Sequence, residues 1–341
     1  MKKLFFMAAV AGVAFVSCTK NELAPSAAEQ NEITFTTPVV APATKAIVDG
    51  VVYPTTESFG VYAWHNTATE AYMNEVEVKY NSNLTDDFTS ESEENGGWMP
   101  SEVYYWPKSG GLTFDAFSPW SVNDKVSATK ADGITITDYI VADAADVDLM
   151  YATRTAEKTD VNDKFNVGIP YDGVDIAFNH ALTAVQIKAK TYSEYEAEIK
   201  ITSIKIVNAD SKGTFNQDVT GGNPEWDTTS EPKEYTFEKV TVTQTAVNCG
   251  TKLLLPQNFD DDLAITIEYT INGHAQNGTF KFADHKDGKK GETTVTVEKW
   301  EMGNRYIYTL VFALNEIFFE PIVTDWEDIT MGDIIIPTPA N

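Results

Sequence analysis

Four histidines, His65, His180, His274 and His285, are where a metal centre or a general base would first be sought. None stands at the i, i+2 or i, i+4 spacing that zinc sites use, so no metal set is expected. His180, between Phe178-Asn179 and an apolar run, reads as a structural histidine with its hydrogen bonds satisfied. Asp260-Asp261-Asp262 and the stretch from Asp143 to Asp148 lack the alternating spacing with a central glycine that folds around calcium, and read as solvated turns. No nucleophile elbow, phosphate loop or dinucleotide fingerprint occurs. Carboxylate pairs are too abundant here for any one pair to indicate a glycosidase-like dyad. The expectation is no enzymatic activity and no cofactor. Trp98, Tyr104, Tyr105, Trp106 and Trp120 lie close together in the sequence. Core packing is the favoured reading, and a sugar platform built on Trp98 and Trp120 is the functional one.

The residue with the clearest chemistry is Cys18. Met1, Lys2 and Lys3 precede an apolar run from Leu4 to Val16, then Ser17 and Cys18, the layout of a secretory signal peptide over residues 1–17. The run is shorter than the roughly 20 apolar residues that span a bilayer. A small residue directly before a cysteine resembles the lipobox of bacterial lipoproteins, with Phe15 departing from the usual leucine. The resemblance implies that Cys18 becomes the first mature residue and carries acyl chains, which anchor it to outer-membrane lipid. Cys249 then has no partner in the chain and reads as a small buried hydrophobe.

Removing residues 1–17 takes two lysines and leaves 23 basic against 51 acidic residues, a formal charge of −28. Such a field repels phosphate backbones, which argues against nucleic acid and against adhesion to anionic lipid. The charges are interspersed and aromatics are plentiful, so the chain has a core to bury.

The elements that must carry these residues are strands. Val185 to Lys190 and Ile265 to Ile271 alternate apolar with polar side chains, Ile134 to Ile136 and Val295 to Val297 repeat the pattern, and Tyr306 to Leu314 is apolar on both faces and belongs mid-sheet. Ile199, Ile201, Ile204 and Ile206 change phase at Thr202-Ser203, which predicts a β-bulge. Val103 to Trp106, a glycine-bearing turn and Leu112 to Phe117 predict a hairpin. Ala142 to Met150 is the best candidate for a short helix. Length predicts two domains, a first over 32–172 and a second over 173–341, behind a tether at 18–31.

Several stretches resemble the fimbrillin family, the pilins and accessory subunits of type V pili. They are Phe59 to Trp64, Tyr104 to Pro107, Leu112 to Pro119, Asp148 to Ala152, Phe178 to Leu182, Leu253 to Gln257, Trp300 with Gly303, Tyr306 and Tyr308, and Val323 to Trp326. The resemblance implies an all-β chain of two tandem β-sandwich domains, Greek-key and transthyretin-like, with few short helices. It also implies lipoprotein export to the outer membrane and cell surface, proteolytic removal of an N-terminal segment, and polymerisation with other pilus subunits by donor-strand exchange.

The residues allow such an exchange. Ile33, Phe35 and Val39 are nearly alternating apolar positions, and Pro38 and Pro42 confine this stretch, within 32–45, to a sheet edge from which it can detach. A cut between Lys45 and Ala46 frees it, and another subunit's strand fills the groove by β-augmentation. Bonded on both sides in mid-sheet, the stretch would offer no such slot. Family members are often cut at arginine, whereas Arg154 and Arg305 are the only arginines here, so lysine substitutes or the chain stays uncut as an anchor. The donor candidate, within 329–341, is Ile334, Ile335 and Ile336, which read equally as the last strand of their own domain. The leading expectation is a structural or adhesive pilus subunit. The alternative is a monomeric surface lipoprotein that binds glycans or a host ligand.

Overall fold

The computed structural model describes residues 32–40, 52–82, 97–143, 147–158, 173–191, 197–219, 223–290, 293–312, 316–325, 329–330 and 336–337. The chain is all-β. A seven-stranded sheet runs in the order β1 (Val39–Val40), β9 (Ala177–His180), β8 (Met150–Ala156), β5 (Leu112–Ser118), β2 (Ser58–His65), β3 (Ala71–Asn81) and β4 (Gly97–Pro100). A second sheet runs β13 (Val247–Leu254), β10 (Thr183–Thr191), β20 (Asn304–Phe312), β22 (Ile329–Thr330), β21 (Glu316–Asp325) and β23 (Ile336–Pro337). A third runs β16 (His274–Lys281), β15 (Ala264–Ile271), β11 (Ile199–Asn216), β7 (Gly133–Ile140) and β6 (Val126–Thr129), with β12 (Glu225–Thr236) also paired to β11. Two small ribbons pair β14 (Gln257–Asn258) with β19 (Lys299–Trp300) and β17 (Asp287–Lys290) with β18 (Thr293–Thr296).

Sequence pattern and structure agree where a strand's surroundings are simple. β20 is buried on both faces and lies inside its sheet, as its unbroken apolar run predicts. The register of β11 against β15 slips between Ile201 and Ser203, at the predicted bulge. β2 is buried on both faces for a different reason. Phe59, Val61 and Ala63 enter one hydrophobic core, whereas Tyr62 and Trp64 enter another.

Three expectations fail. The hairpin between 103–106 and 112–117 does not form, because β2 and β8 occupy both hydrogen-bonding sides of β5, and Tyr105 instead bridges Glu32. The described part of 142–150 is not helical: Met150 opens β8, and the Leu149 carbonyl accepts from Ala181 N at 2.7 Å. Residues 144–146 lie outside the described residues. Nor do the sheets part at 172–173. The β6–β7 hairpin joins β11, while Val174, Ile176 and Phe178 sink into the core of the first sheet.

A lysine holds these sheets in register. Lys130, in the β6–β7 turn, donates from Nζ to three carbonyls of the β2–β3 loop, those of His65 at 2.9 Å, Asn66 at 3.0 Å and Ala68 at 2.7 Å. An ammonium has three donors, and all three are used.

Candidate functional site

Residues 32–40 stand between the two ends of the first sheet. On one side Ile33 N donates to Tyr104 O at 2.8 Å and Phe35 N to Trp98 O at 3.0 Å. On the other, Thr36 N donates to Val174 O at 3.1 Å, Val174 N to Thr34 O at 2.8 Å and Val39 N to Ile176 O at 3.0 Å. The segment therefore runs antiparallel to the chain at Trp98–Tyr105 and parallel to the chain entering β9.

This overturns the expected edge position. Pro38 removes a single donor, and its carbonyl still accepts from Tyr53 N at 3.0 Å, so the missing N–H does not force the strand to an edge. The pairing consists of isolated bridges rather than one long ladder, which is where a proline costs least. Apart from this segment, β4 pairs among the described residues with β3 alone, and no other strand spans the gap to β9. The segment is thus the closing piece of a sheet whose two ends it joins.

The apolar phase of the segment also differs from expectation. Ile33 and Phe35 are buried, at 1% exposure each, but the phase changes at Thr36-Thr37, so Val40 turns inward and Val39 outward at 40% exposure. Phe35 meets Phe59 and Phe114 edge to face, at centroid distances of 5.7 and 5.8 Å. Burying side chains of this size contributes about 1.5–3 kcal/mol each. Against the segment lies Gly173, where a Cβ would stand 2.5–2.7 Å from the backbone of Phe35. The sequence offers no sign of this contact beyond the glycine itself. Arg154 Nε reaches Asp175 at 2.8 Å across the exposed side of the same strip.

The aromatic platform is not there. Trp98 is 1% exposed and packs in the first core with Tyr53, Phe59 and Tyr80. Trp120 stacks on Phe117 against the other core, so the two indoles share no surface. Core packing accounts for both.

Cys18, Lys45, Ala46, Ile334 and Ile335 lie outside the described residues. Ile336 sits in β23, the terminal strand of the second sheet, with its backbone paired to Ile317.

Several buried polar groups bond within the interior. His180 Nδ1 lies 2.9 Å from the Asp148 carboxylate, both deeply buried, which ties the start of β8 to the end of β9. Tyr53 shares a hydrogen bond of 2.8 Å with Ser118 Oγ, and burial holds its phenol well above the ordinary range. Burial, and then the charge of Glu238, pushes the Cys249 thiol up to about 12, so it stays protonated. Asp115 accepts from Thr153 Oγ1 at 2.6 Å, yet burial raises its carboxyl to about 6. Among the described residues no group of three His, Cys, Asp or Glu side chains is placed to hold a metal ion.

The sequence model of a family described as fimbrillin-like matches residues 44–326. A candidate cell adhesion protein of Bacteroides uniformis is similar in structure over 87% of this chain and 98% of its own, at 17% identity and a TM-score of 0.54. That likeness speaks to the fold. A fimbrial assembly protein of Parabacteroides distasonis matches 88% of this chain and 98% of its own, at 11% identity and a TM-score of 0.45. The fimbrial anchor protein Mfa2 of Porphyromonas gingivalis matches 84% and 96%, at 12% identity and a TM-score of 0.34. No curated protein matches the chain.

Proposed function

The chain belongs to the fimbrillin-like family, and from that premise we propose that it is a structural or adhesive subunit of type V pili on the bacterial surface. We read it as exported as a lipoprotein and acylated at Cys18, in the outer membrane.

The observation that carries the assembly reading is the position of residues 32–40 as the piece that joins the two ends of one sheet. Their bonding on both sides removes the simple route, in which an edge strand peels away. Because the pairing is a set of isolated bridges between two sheet ends and not a ladder in mid-sheet, a narrower route remains. Withdrawing this segment opens a seam instead of tearing a continuous ladder, and it bares backbone groups on both walls together with an apolar floor of Phe59, Phe114 and Phe178. Val39 and Val52 are bridge partners and Lys45 lies between them in sequence, so a cut after Lys45 would leave the segment with no covalent link to the strands that follow. Held then by non-covalent contacts alone, the segment is open to replacement by a strand from another copy. The donor is the end of the chain at Ile334 to Ile336, whose last member is now paired over two residues of an outermost strand.

Digesting the purified full chain with a lysine-specific protease tests this. Cleavage after Lys45 followed by ladders of polymers is the expected result. A cut protein that stays monomeric excludes a stalk role. N-terminal sequencing of the protein from cells separates the two remaining roles: a start at acylated Cys18 marks an uncut anchor, and a start at Ala46 marks an assembled pilin.

A further inference from the structure

A groove of about 510 Å3 opens where β11, the start of β12, the β13–β14 turn and the β19–β20 turn meet. Cavities of roughly 300–1,000 Å3 are the size that holds small ligands.

Its floor is apolar and held rigid from behind. Trp226 is half-buried; its Nε1 donates to Ala181 O at 2.6 Å, and its ring packs against Tyr139 and Phe215. Trp300, beside it in the lining, is fixed by a 2.9 Å bond from Nε1 to Tyr308 Oη.

Its rim is made of oriented acceptors. Gln257 grips the backbone of Asp210 at both ends, accepting from its N–H at 2.8 Å and donating to its carbonyl at 3.4 Å. Asp260, in the lining, accepts through Oδ1 from Asp262 N at 3.1 Å and Leu263 N at 2.8 Å, which fixes that carboxylate. Glu301, also in the lining, lies 3.2 Å from Lys299 Nζ through Oε1 and accepts from Asn304 Nδ2 at 3.5 Å through Oε2. Burial and the nearby charge of Asp260 raise the Asp210 carboxyl above its ordinary range.

We propose that this groove binds an uncharged sugar ring of a surface glycan. The matching ligand must bring several hydroxyl donors to fixed carboxylate acceptors and at the same time lay an apolar C–H face on an indole. A pyranose does both. The acidic excess of the rim rejects uronic, sialic and sulfated sugars by like-charge repulsion. With no three acidic groups placed around one ion among the described residues, the carboxylates meet the sugar directly and not through a bound cation. A lysine side chain, the rival occupant, would also cover an indole with its stem, but Lys299 already places an ammonium in the rim, 3.2 Å from Glu301, and repels a second one. The site needs no strand exchange, so it stands or falls apart from polymerisation.

The full chain is applied to an array of neutral and acidic oligosaccharides, with an oligolysine peptide beside them. Retention of neutral glycans alone is expected. Asp210→Asn and Glu301→Gln should each weaken it by about tenfold, the loss of one charge-assisted hydrogen bond, with the thermal midpoint unchanged. Trp226→Phe, which keeps an aromatic in the packing, should weaken it with the same specificity. Failure to retain any neutral glycan, equal retention by all three variants, or retention of oligolysine in place of sugar overturns the proposal.

Discussion

Gly173 has no room for a side chain. A Cβ there would press on the backbone of Phe35, not on a flexible side-chain end, so nothing nearby can rotate away. Gly173→Ala is expected to cost about 1–3 kcal/mol, the usual range for overpacking, and to speed hydrogen exchange at the Phe35 amide, read by mass spectrometry.

Asp115 makes a pH prediction at the same scale. Its carboxyl is raised from 3.8 to about 6 in the folded chain, chiefly by burial and against the lowering effect of the Thr153 hydrogen bond. The folded state therefore binds this proton more tightly than the unfolded state. Its contribution to stability is full below about pH 4 and falls as pH rises through about 6, by at most roughly 3 kcal/mol. Asp115→Asn should be more stable than the parent at pH 7 and lack that advantage at pH 4, as measured by urea unfolding at both values.

Residue roles were only partly legible. The placement of His180 beside a partner follows from a histidine flanked by apolar strand residues. That Val40 and not Val39 turns inward depends on an irregularity at Thr36-Thr37, which no alternation rule reveals.

At the scale of elements, the contacts that matter most link strands remote in sequence. Lys130 clamps three carbonyls of the β2–β3 loop from the tip of another hairpin. Lys130→Met keeps the stem and removes the donors, leaving those carbonyls without their ammonium. It is expected to cost about 1–3 kcal/mol and to raise exchange across residues 65–68 while β20 stays protected. The same remoteness explains the failed hairpin. Local turn chemistry at Ser109-Gly110-Gly111 is sound, but β5 reaches a more extensive pairing with β2 and β8, and tertiary pairing overrides the local signal.

For the whole molecule, charge sets the conditions of assembly. A chain carrying −26 repels its own copies, so any association after cleavage must work against that field. Raising salt shortens the screening length from about 30 Å at 0.01 M to about 10 Å at 0.1 M. Polymer formation by the lysine-cut protein should accordingly quicken with added sodium chloride, followed by light scattering. A rate that falls with salt would mean that attraction between oppositely charged patches, and not strand insertion against net repulsion, controls the encounter.

Composition and alternation were enough to establish a strand-built chain, a bulge in β11 and a doubly buried β20, because these depend on side chains a few positions apart. The joining of two sheet ends by residues 32–40, the crossing of the β6–β7 hairpin to β11 and the sinking of Trp98 into a core required the folded chain. Each depends on which of several compatible strands wins a given hydrogen-bonding side, a competition settled by long-range packing that leaves no periodic trace in the sequence.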